Sequence, residues 1–230
     1  MKVLGLIPAR GGSKGVPKKN IRLVDGQTLI SYSIEIAQKS KLITDVLVST
    51  DSDEIIDIVK SYNCDFLKRN LENAQDNSVI EDVIYEVLKE LKTEYDLIVL
   101  LQPTSPIREV EDIDNVIRLF FEDKDLETVV SLVELEDIHP ARMYEINENK
   151  EMFPLNRKLE RKRRQELQPV YLRNGSIYAT RVSAFLEHGK FICDRKKGYV
   201  MPESKWANVD TERDLLLTEC LIKEWKKGNL

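Results

Sequence analysis

Histidine is almost missing from this chain. His139 and His188 are the two it has in 230 residues, which excludes a histidine-rich zinc centre. Cysteine is nearly as scarce: Cys64, Cys193 and Cys220 stand far apart, and no CxxC pair occurs. That excludes a disulfide framework and leaves reduced, structural thiols in a cytoplasmic protein as the expectation. No apolar run approaches the length that spans a bilayer. The first one, after Lys2, is over by Arg10 and is too short and badly flanked for a signal peptide. An excess of positive charge is lacking too. The net charge is -5, so the molecule as a whole is no general binder of polyanions, and any phosphate site must be a local concentration of cations.

What is present is the balance of an ordinary globular protein, 42% hydrophobic and 33% charged. The length suits one domain, residues 1–230, with a core of its own. Buried strands read as continuous apolar runs, and Val3-Leu4-Gly5-Leu6-Ile7, Val46-Leu47-Val48 and Leu97-Ile98-Val99-Leu100-Leu101 are such runs. Between them, apolar residues recur at helical spacing: Ile30, Ile34 and Ala37, then Ile55, Ile56 and Val59, then Val79, Ile80, Val83, Ile84, Val87, Leu88 and Leu91. Ile113, Val116, Ile117 and Phe120 mark another helix, and 128–133 another strand. The alternation predicts an α/β fold, a doubly wound and mostly parallel sheet with helices on both faces. The pattern breaks over about 134–170, a polar arm too poor in apolar residues to fold alone. Regular structure resumes at Ser176-Ile177-Tyr178. A last helix is expected from Thr211, boxed by Asp214, burying Leu215, Leu216, Cys220 and Leu221.

The first strand feeds directly into Arg10-Gly11-Gly12-Ser13-Lys14-Gly15-Val16-Pro17-Lys18-Lys19-Asn20. Ligands of open α/β sheets sit beyond the carboxyl ends of the strands. Glycines there let backbone N–H groups approach phosphate oxygens. Arg10 offers a two-pronged fork, and Lys14 and Lys19 offer point charges. The loop fits a triphosphate; the bland alternative is a solvated basic loop. It is neither a Walker loop nor a GxGxxG fingerprint, which argues against a kinase, an ATPase or a dehydrogenase. Gln102, Thr104 and Ser105 follow the third strand into the same crevice. They either orient a polyhydroxylated substrate or simply stop the strand. Asn208 and Asp210, alternating about Val209, point to one side. Asp210 either holds Mg²⁺ against phosphates or helps the next helix start. The basic run 157–164 lacks interleaved aromatics, so a solvated arm or subunit contact is preferred over a nucleic-acid site. His139 reads as a packing or surface residue, and Phe120 and Trp225 as core or interface.

Together these segments resemble the acylneuraminate cytidylyltransferase family along nearly the whole chain, from Ile7 to Leu215. The motifs stand here as Pro8-Ala9-Arg10-Gly11-Gly12-Ser13-Lys14-Gly15 with Lys19-Asn20, as Leu101-Gln102-Pro103-Thr104-Ser105-Pro106-Ile107-Arg108, as Arg164-Gln165-Glu166-Leu167 with Asn174-Gly175-Ser176-Ile177-Tyr178, and as Asn208-Val209-Asp210-Thr211. The resemblance implies a Rossmann-like nucleotidyltransferase in which a sugar's anomeric hydroxyl attacks the α-phosphate of CTP and pyrophosphate leaves. It assigns phosphate contact to Arg10, Gly11, Gly12, Ser13 and Lys14. Lys19 falls by the α-phosphate or leaving group, so Arg10, Lys14 and Lys19 carry the catalysis. Asn20 and Arg69 fall to the nucleoside. Gln102, Thr104, Ser105, Arg142, Arg164 and Tyr178 fall to an acidic nine-carbon sugar, with Phe191 as an apolar wall. Asp210 takes Mg²⁺, with Asn208 offering a neutral oxygen where the family often has a second aspartate. Leu172 stands where some relatives carry arginine, and Arg173 is its neighbour. The resemblance also implies a homodimer with shared sites, the arm reaching the partner's sugar; the acidic net charge and the lack of a bilayer-spanning run make no nucleic acid and no membrane partner the expectation. The rival readings are a cytidylyltransferase for an eight-carbon 3-deoxy sugar acid, a non-catalytic nucleotide-sugar binding protein, and a basic-arm RNA-binding module. Which nonulosonate is used, sialic, legionaminic or pseudaminic acid, is not written in these motifs.

Overall fold

In the computed structural model, residues 1–70, 79–135 and 138–229 are described. The chain opens with β1 (Val3–Pro8). A glycine-rich loop and a 3-10 turn lead to a small ribbon, β2 (Leu23–Val24) with β3 (Gln27–Thr28), and to α1 (Leu29–Lys39). Then come β4 (Asp45–Thr50), α2 (Asp53–Ser61), β5 (Asp65–Lys68), α3 (Ile80–Glu90), β6 (Leu97–Leu101), α4 (Val110–Glu122) and β7 (Thr128–Glu134). The arm carries β8 (Tyr144–Ile146) and β9 (Met152–Pro154). After it come β10 (Tyr171–Arg181), α5 (Val182–His188), β11 (Lys196–Met201) and α6 (Glu212–Lys226).

Seven strands form one sheet in the order β11-β7-β10-β6-β1-β4-β5. Its pairs are parallel except those of β10, which runs antiparallel to both β6 and β7. This is the doubly wound, mostly parallel sheet that the alternation of runs predicts. Strand pleating divides its side chains between two faces. Val3, Ile7, Leu97, Val99 and Leu101 join α1, α2 and α4 through Ile30, Ile34, Ile55, Val59, Ile113 and Ile117. Leu4, Leu6, Ile98 and Leu100 meet α3 and α5 through Val83, Ile84, Val87 and Phe185. Each such side chain, fully buried, contributes about 1.5–3 kcal/mol, so the floor on which the loops stand is held by apolar packing on both faces of the sheet.

The expected capping box at Thr211 and Asp214 is present. The face that α6 buries differs from expectation. It buries Leu215, Thr218 and Ile222, with Leu221 and Trp225 partly covered. Leu216 is 66% exposed and Cys220 is exposed. Residues 215, 218 and 222 lie on one stripe of a helix, whereas 216 and 220 fall about 100° and about 140° away from 215, toward solvent. Val79 and Leu91 mark the ends of α3, and Val79 is exposed there. Phe120 is core and Trp225 packs at the rim of a smaller cluster.

Between β7 and β10 lies a two-stranded ribbon, β8 with β9, separate from the seven-stranded sheet. It pairs Tyr144 with Pro154 and Ile146 with Met152. His139 clasps the two ends of the arm. Ala141 N–H donates to His139 Nδ1 at 3.0 Å, so the proton sits on Nε2, which donates to Gln168 O at 3.1 Å. No helix among the described residues is long and apolar enough to cross a membrane.

Candidate active site

The carboxyl ends of β1, β4 and β6 deliver three loops to one edge of the sheet, and segment 208–210 closes the space between them. A cleft of about 380 Å³ results. Arg10, Gly12, Ser13, Lys19, Asn20 and Arg69 line one side; Gln102, Thr104, Asn208 and Asp210 line the other.

The loop after β1 is pinned at several points. Ala9 N–H donates to Ser49 O and Gly11 N–H to Asp51 Oδ1, tying it to the end of β4. Asn20 is buried, and its amide donates to Arg10 O at 2.9 Å, closing the loop on itself. That bond leaves Asn20 serving the backbone as much as any ligand. Lys19 reaches across the cleft, donating to Val209 O at 2.7 Å and to Asp210 Oδ1 at 3.1 Å. Gly15 abuts the same segment so closely that a Cβ there would lie 2.1 Å from Asp210 O. Lys14 is exposed at the loop's rim.

Arg69 lies buried at the cleft wall, donating from Nε to Ser49 Oγ at 3.2 Å and from Nη2 to Ser49 O at 2.9 Å. Burial pushes its guanidinium below the ordinary arginine range, a shift that Asp51 and Glu86 oppose and Arg10 reinforces. On the opposite wall, Val209 N–H donates to Thr104 O, joining segment 208–210 to the loop after β6. Ser105 is buried and donates to Asn174 O at 3.1 Å. Beside it, Gly175 takes φ +77 at an irregularity in β10, and a Cβ there would sit 2.9 Å from Ser105 Oγ and 3.3 Å from Gln102 Oε1. Only glycine fits that backbone and that gap.

One residue quoted in the second motif has a role that its spacing does not announce. Arg108 is fully buried. It donates from Nη1 to Ser176 O at 2.8 Å, and from Nη2 to Gln102 O at 2.6 Å, Ser33 Oγ at 3.1 Å and Ser105 O. The guanidinium therefore clamps the loop after β6 to β10 and α1. Burial pushes it down to about 9, which still leaves it charged at neutral pH.

The structure brings together Arg10, Gly12, Ser13, Lys19, Asn20, Arg69, Gln102, Thr104, Asn208 and Asp210. Tyr178 stands half-buried on β10 opposite Leu100, and burial raises its phenol. Gly11, Lys14, Ser105 and Tyr178 are not among the residues that line the cleft, and three further expected residues lie elsewhere. Phe191 is 2% exposed, packed edge-on to Phe185 with ring centroids 6.3 Å apart, as part of the core. Arg142 donates to Glu160 O at 3.0 Å and Lys162 O at 2.8 Å within the arm. Arg164 lines a separate hollow of about 470 Å³ at the arm's base, with Leu135 and His139.

Among the described residues no group of three or more His, Cys, Asp or Glu side chains gathers as a metal cage. Asp210 nonetheless presents an exposed carboxylate to the cleft. One carboxylate shared with substrate phosphates is how Mg²⁺ is commonly held, so the residues fit that ion.

The sequence from 4 to 204 matches the model of a family described as cytidylyltransferase. The pseudaminic acid cytidylyltransferase of Campylobacter jejuni is 31% identical over 229 residues, covering 97% of each protein. The N-acylneuraminate cytidylyltransferase of Streptococcus agalactiae is 30% identical over 218 residues, covering 94% of this chain; the chain spans about half, 52%, of that relative. Among solved structures, a CMP-2-keto-3-deoxy-manno-octonic acid synthetase complexed with CTP superposes with a TM-score of 0.73 at 18% identity, over 98% of this chain and 100% of that one. The octonic acid synthetase supports the fold alone. The match along 4–204 and the near-complete alignment with the Campylobacter enzyme go further: the chain belongs to the cytidylyltransferase family of nucleotidyltransferase enzymes.

Proposed function

We propose that the protein transfers CMP from CTP to the anomeric hydroxyl of an N-acylneuraminate-type nonulosonic acid. The single observation that carries the reading is the cleft in which Arg10, Ser13, Lys19 and Arg69 face Gln102, Thr104, Asn208 and Asp210. One wall is cationic and built for phosphate; the other is rich in amide, hydroxyl and carboxylate oxygen.

In the reaction the anomeric oxygen forms a bond to the α-phosphorus, the bond from that phosphorus to the bridging oxygen breaks, and pyrophosphate leaves. The anomeric proton passes to solvent or base. Such a displacement needs positioning and charge stabilisation more than covalent help. Arg10, Ser13 and Lys14 hold phosphate oxygens, and Lys19 offsets the charge that grows as pyrophosphate departs. Arg69 and Asn20 stand on the nucleoside side, and Gln102, Thr104, Ser105 and Tyr178 on the sugar side. Mg²⁺ bound at Asp210 would supply further neutralisation of phosphate charge. Arg108 acts on none of these atoms directly and keeps Gln102 and Ser105 in place.

The active form in this reading is a cytoplasmic homodimer. The arm supports it: Ile146, Met152 and Leu155 are 66%, 59% and 53% exposed on a ribbon too small to be stable unaided. Arg142 and Arg164 lie outside their own cleft, where a partner's sugar carboxylate is the target that suits a guanidinium fork.

The test is pyrophosphate release with CTP, UTP, ATP and GTP against a panel of sialic, legionaminic and pseudaminic acids, with an eight-carbon 3-deoxy acid as the rival. CTP should be preferred at least about tenfold, or ~1.4 kcal/mol, with a nine-carbon acid as acceptor. Equal rates with UTP, or preference for the eight-carbon acid, overturn the assignment.

A further inference from the structure

Both carboxylate oxygens of Asp210 accept hydrogen bonds. Oδ1 takes Lys19 Nζ at 3.1 Å and Oδ2 takes Asn208 Nδ2 at 2.6 Å. Lys19 is anchored a second time by Val209 O at 2.7 Å, and its side chain is only 15% exposed. Asn208 Oδ1 is turned the other way, 3.5 Å from Ser105 Oγ. The amide therefore presents hydrogen, not oxygen, to Asp210, at the place where a cation shared with phosphates would meet that carboxylate.

A carboxylate at position 208 would act differently. Two anionic oxygens at that separation repel, and only a cation or a proton between them relieves the repulsion. The amide donates instead, and the Lys19 ammonium already balances the charge of Asp210. We propose that Asn208 is a positioning donor for Asp210 rather than a metal ligand, and that it makes divalent-cation binding conditional on nucleotide. Lys19 leaves Asp210 for the triphosphate, and the released carboxylate oxygen meets the cation that the triphosphate carries. One carboxylate plus phosphate oxygens is a set that Mg²⁺ accepts; a lone carboxylate paired with an ammonium is not. The inference rests on the cytidylyltransferase reading of the cleft.

The experiment uses Mn²⁺ in place of Mg²⁺ and measures water-proton relaxation enhancement, which reports manganese bound to protein. No sugar is added, so no turnover occurs. Wild-type protein alone should show no enhancement up to about 1 mM Mn²⁺ and clear enhancement once CTP is present, beyond that of CTP with Mn²⁺ alone. Asn208→Asp should bind Mn²⁺ without nucleotide at least about tenfold more tightly than wild type. Lys19→Met, which removes the competing ammonium, should also tighten binding without nucleotide, which keeps the test available if Asn208→Asp fails to fold. Wild-type protein alone binding Mn²⁺ within about threefold of a folded Asn208→Asp, or unchanged affinity in Lys19→Met, overturns the proposal. Pyrophosphate release is measured on the same preparations. Turnover that persists while the metal results fail removes the role of Asn208 and leaves the enzyme reading standing.

Discussion

Gly15→Ala probes the seam between the phosphate loop and segment 208–210. The added Cβ would lie 2.1 Å from Asp210 O and 3.3 Å from its carbonyl carbon, whereas real Cβ contacts essentially never fall under 3.0 Å. The two segments must part by about 0.9 Å, and because the obstacle is backbone, no side-chain rotation relieves it. Gly15 is not among the glycines with positive φ, so alanine adds no backbone strain of its own. Lys19 spans the same seam at 2.7 Å to Val209 O and 3.1 Å to Asp210, and both contacts stretch as it opens. Overpacking of this kind costs about 1–3 kcal/mol of stability, within the ~5–15 kcal/mol a domain commonly has, so the variant should fold with Tm lowered by roughly 2–12 °C. Displacing catalytic groups by about 1 Å costs on the order of 10²-fold in rate. The expected result is kcat/KM for CTP down about 10²-fold, or ~2.7 kcal/mol, read by initial rates of pyrophosphate release beside a thermal melt. Gly12→Ala is the companion. A Cβ there meets nothing within 4 Å, so Tm should hold, and any loss of CTP affinity reports phosphate lying on the Gly12 backbone. Gly15→Ala within threefold of wild type, or a loss that merely follows the unfolded fraction at the assay temperature, refutes the reasoning.

Lys19→Ala should lower kcat by about 10²-fold while moving KM for CTP less, because its charge is used most as pyrophosphate departs; an effect confined to KM makes Lys19 a ground-state contact. If the arm serves the partner's site, Arg10→Ala and Arg164→Ala subunits, each inactive as homodimers, should recover about a quarter of wild-type activity when refolded together, since half the dimers are mixed and each holds one intact site. Verified mixed dimers with no gain place Arg164 in its own chain. Burial pushes the Cys64 thiol up to about 11 and raises that of Cys193, while Cys220 is exposed. A disulfide-exchange reagent at pH 8 should therefore titrate one thiol quickly and the other two only on unfolding, and three fast thiols would contradict the described packing.

The sheet was largely legible because parallel strands buried on both faces need continuous apolar runs, and 3–7, 46–48 and 97–101 are such runs. β5 and β11 were not, because they are the edges of the sheet. Asp65, Phe66 and Lys68 are exposed on one, and Lys196, Lys197 and Gly198 on the other. The reversal of β10 was equally hidden, since side chains alternate with the same period whichever way a strand runs. The cleft was legible by position. Once β1 and β6 are neighbours, the loops after them share a crevice whatever their distance in sequence. What position cannot give is the far partner. Lys19 meets Asp210 across 191 residues, and Arg108 meets Ser176 across 68.

Phe191 and the arm mark the boundary of such reading for two separate reasons. An aromatic residue near a motif has no local signal for which side it packs on; the Tyr85–Phe185–Phe191 stack is settled by α3 and α5 converging from distant segments. The arm fails differently. Its few apolar residues stay largely open: Ile146, Met152 and Leu155 are each more than half exposed, although Ile146 and Met152 pair across the ribbon. A periodicity search asks whether a segment completes a core, and in the homodimer reading the surface that completes this one belongs to a second copy. The His139 and Arg142 contacts hold the arm in shape against its own base. Holding the arm in shape before docking limits the order that must be gained on association. In that reading, the stretch that looked least structured in sequence is shaped in advance for a surface that one chain does not contain.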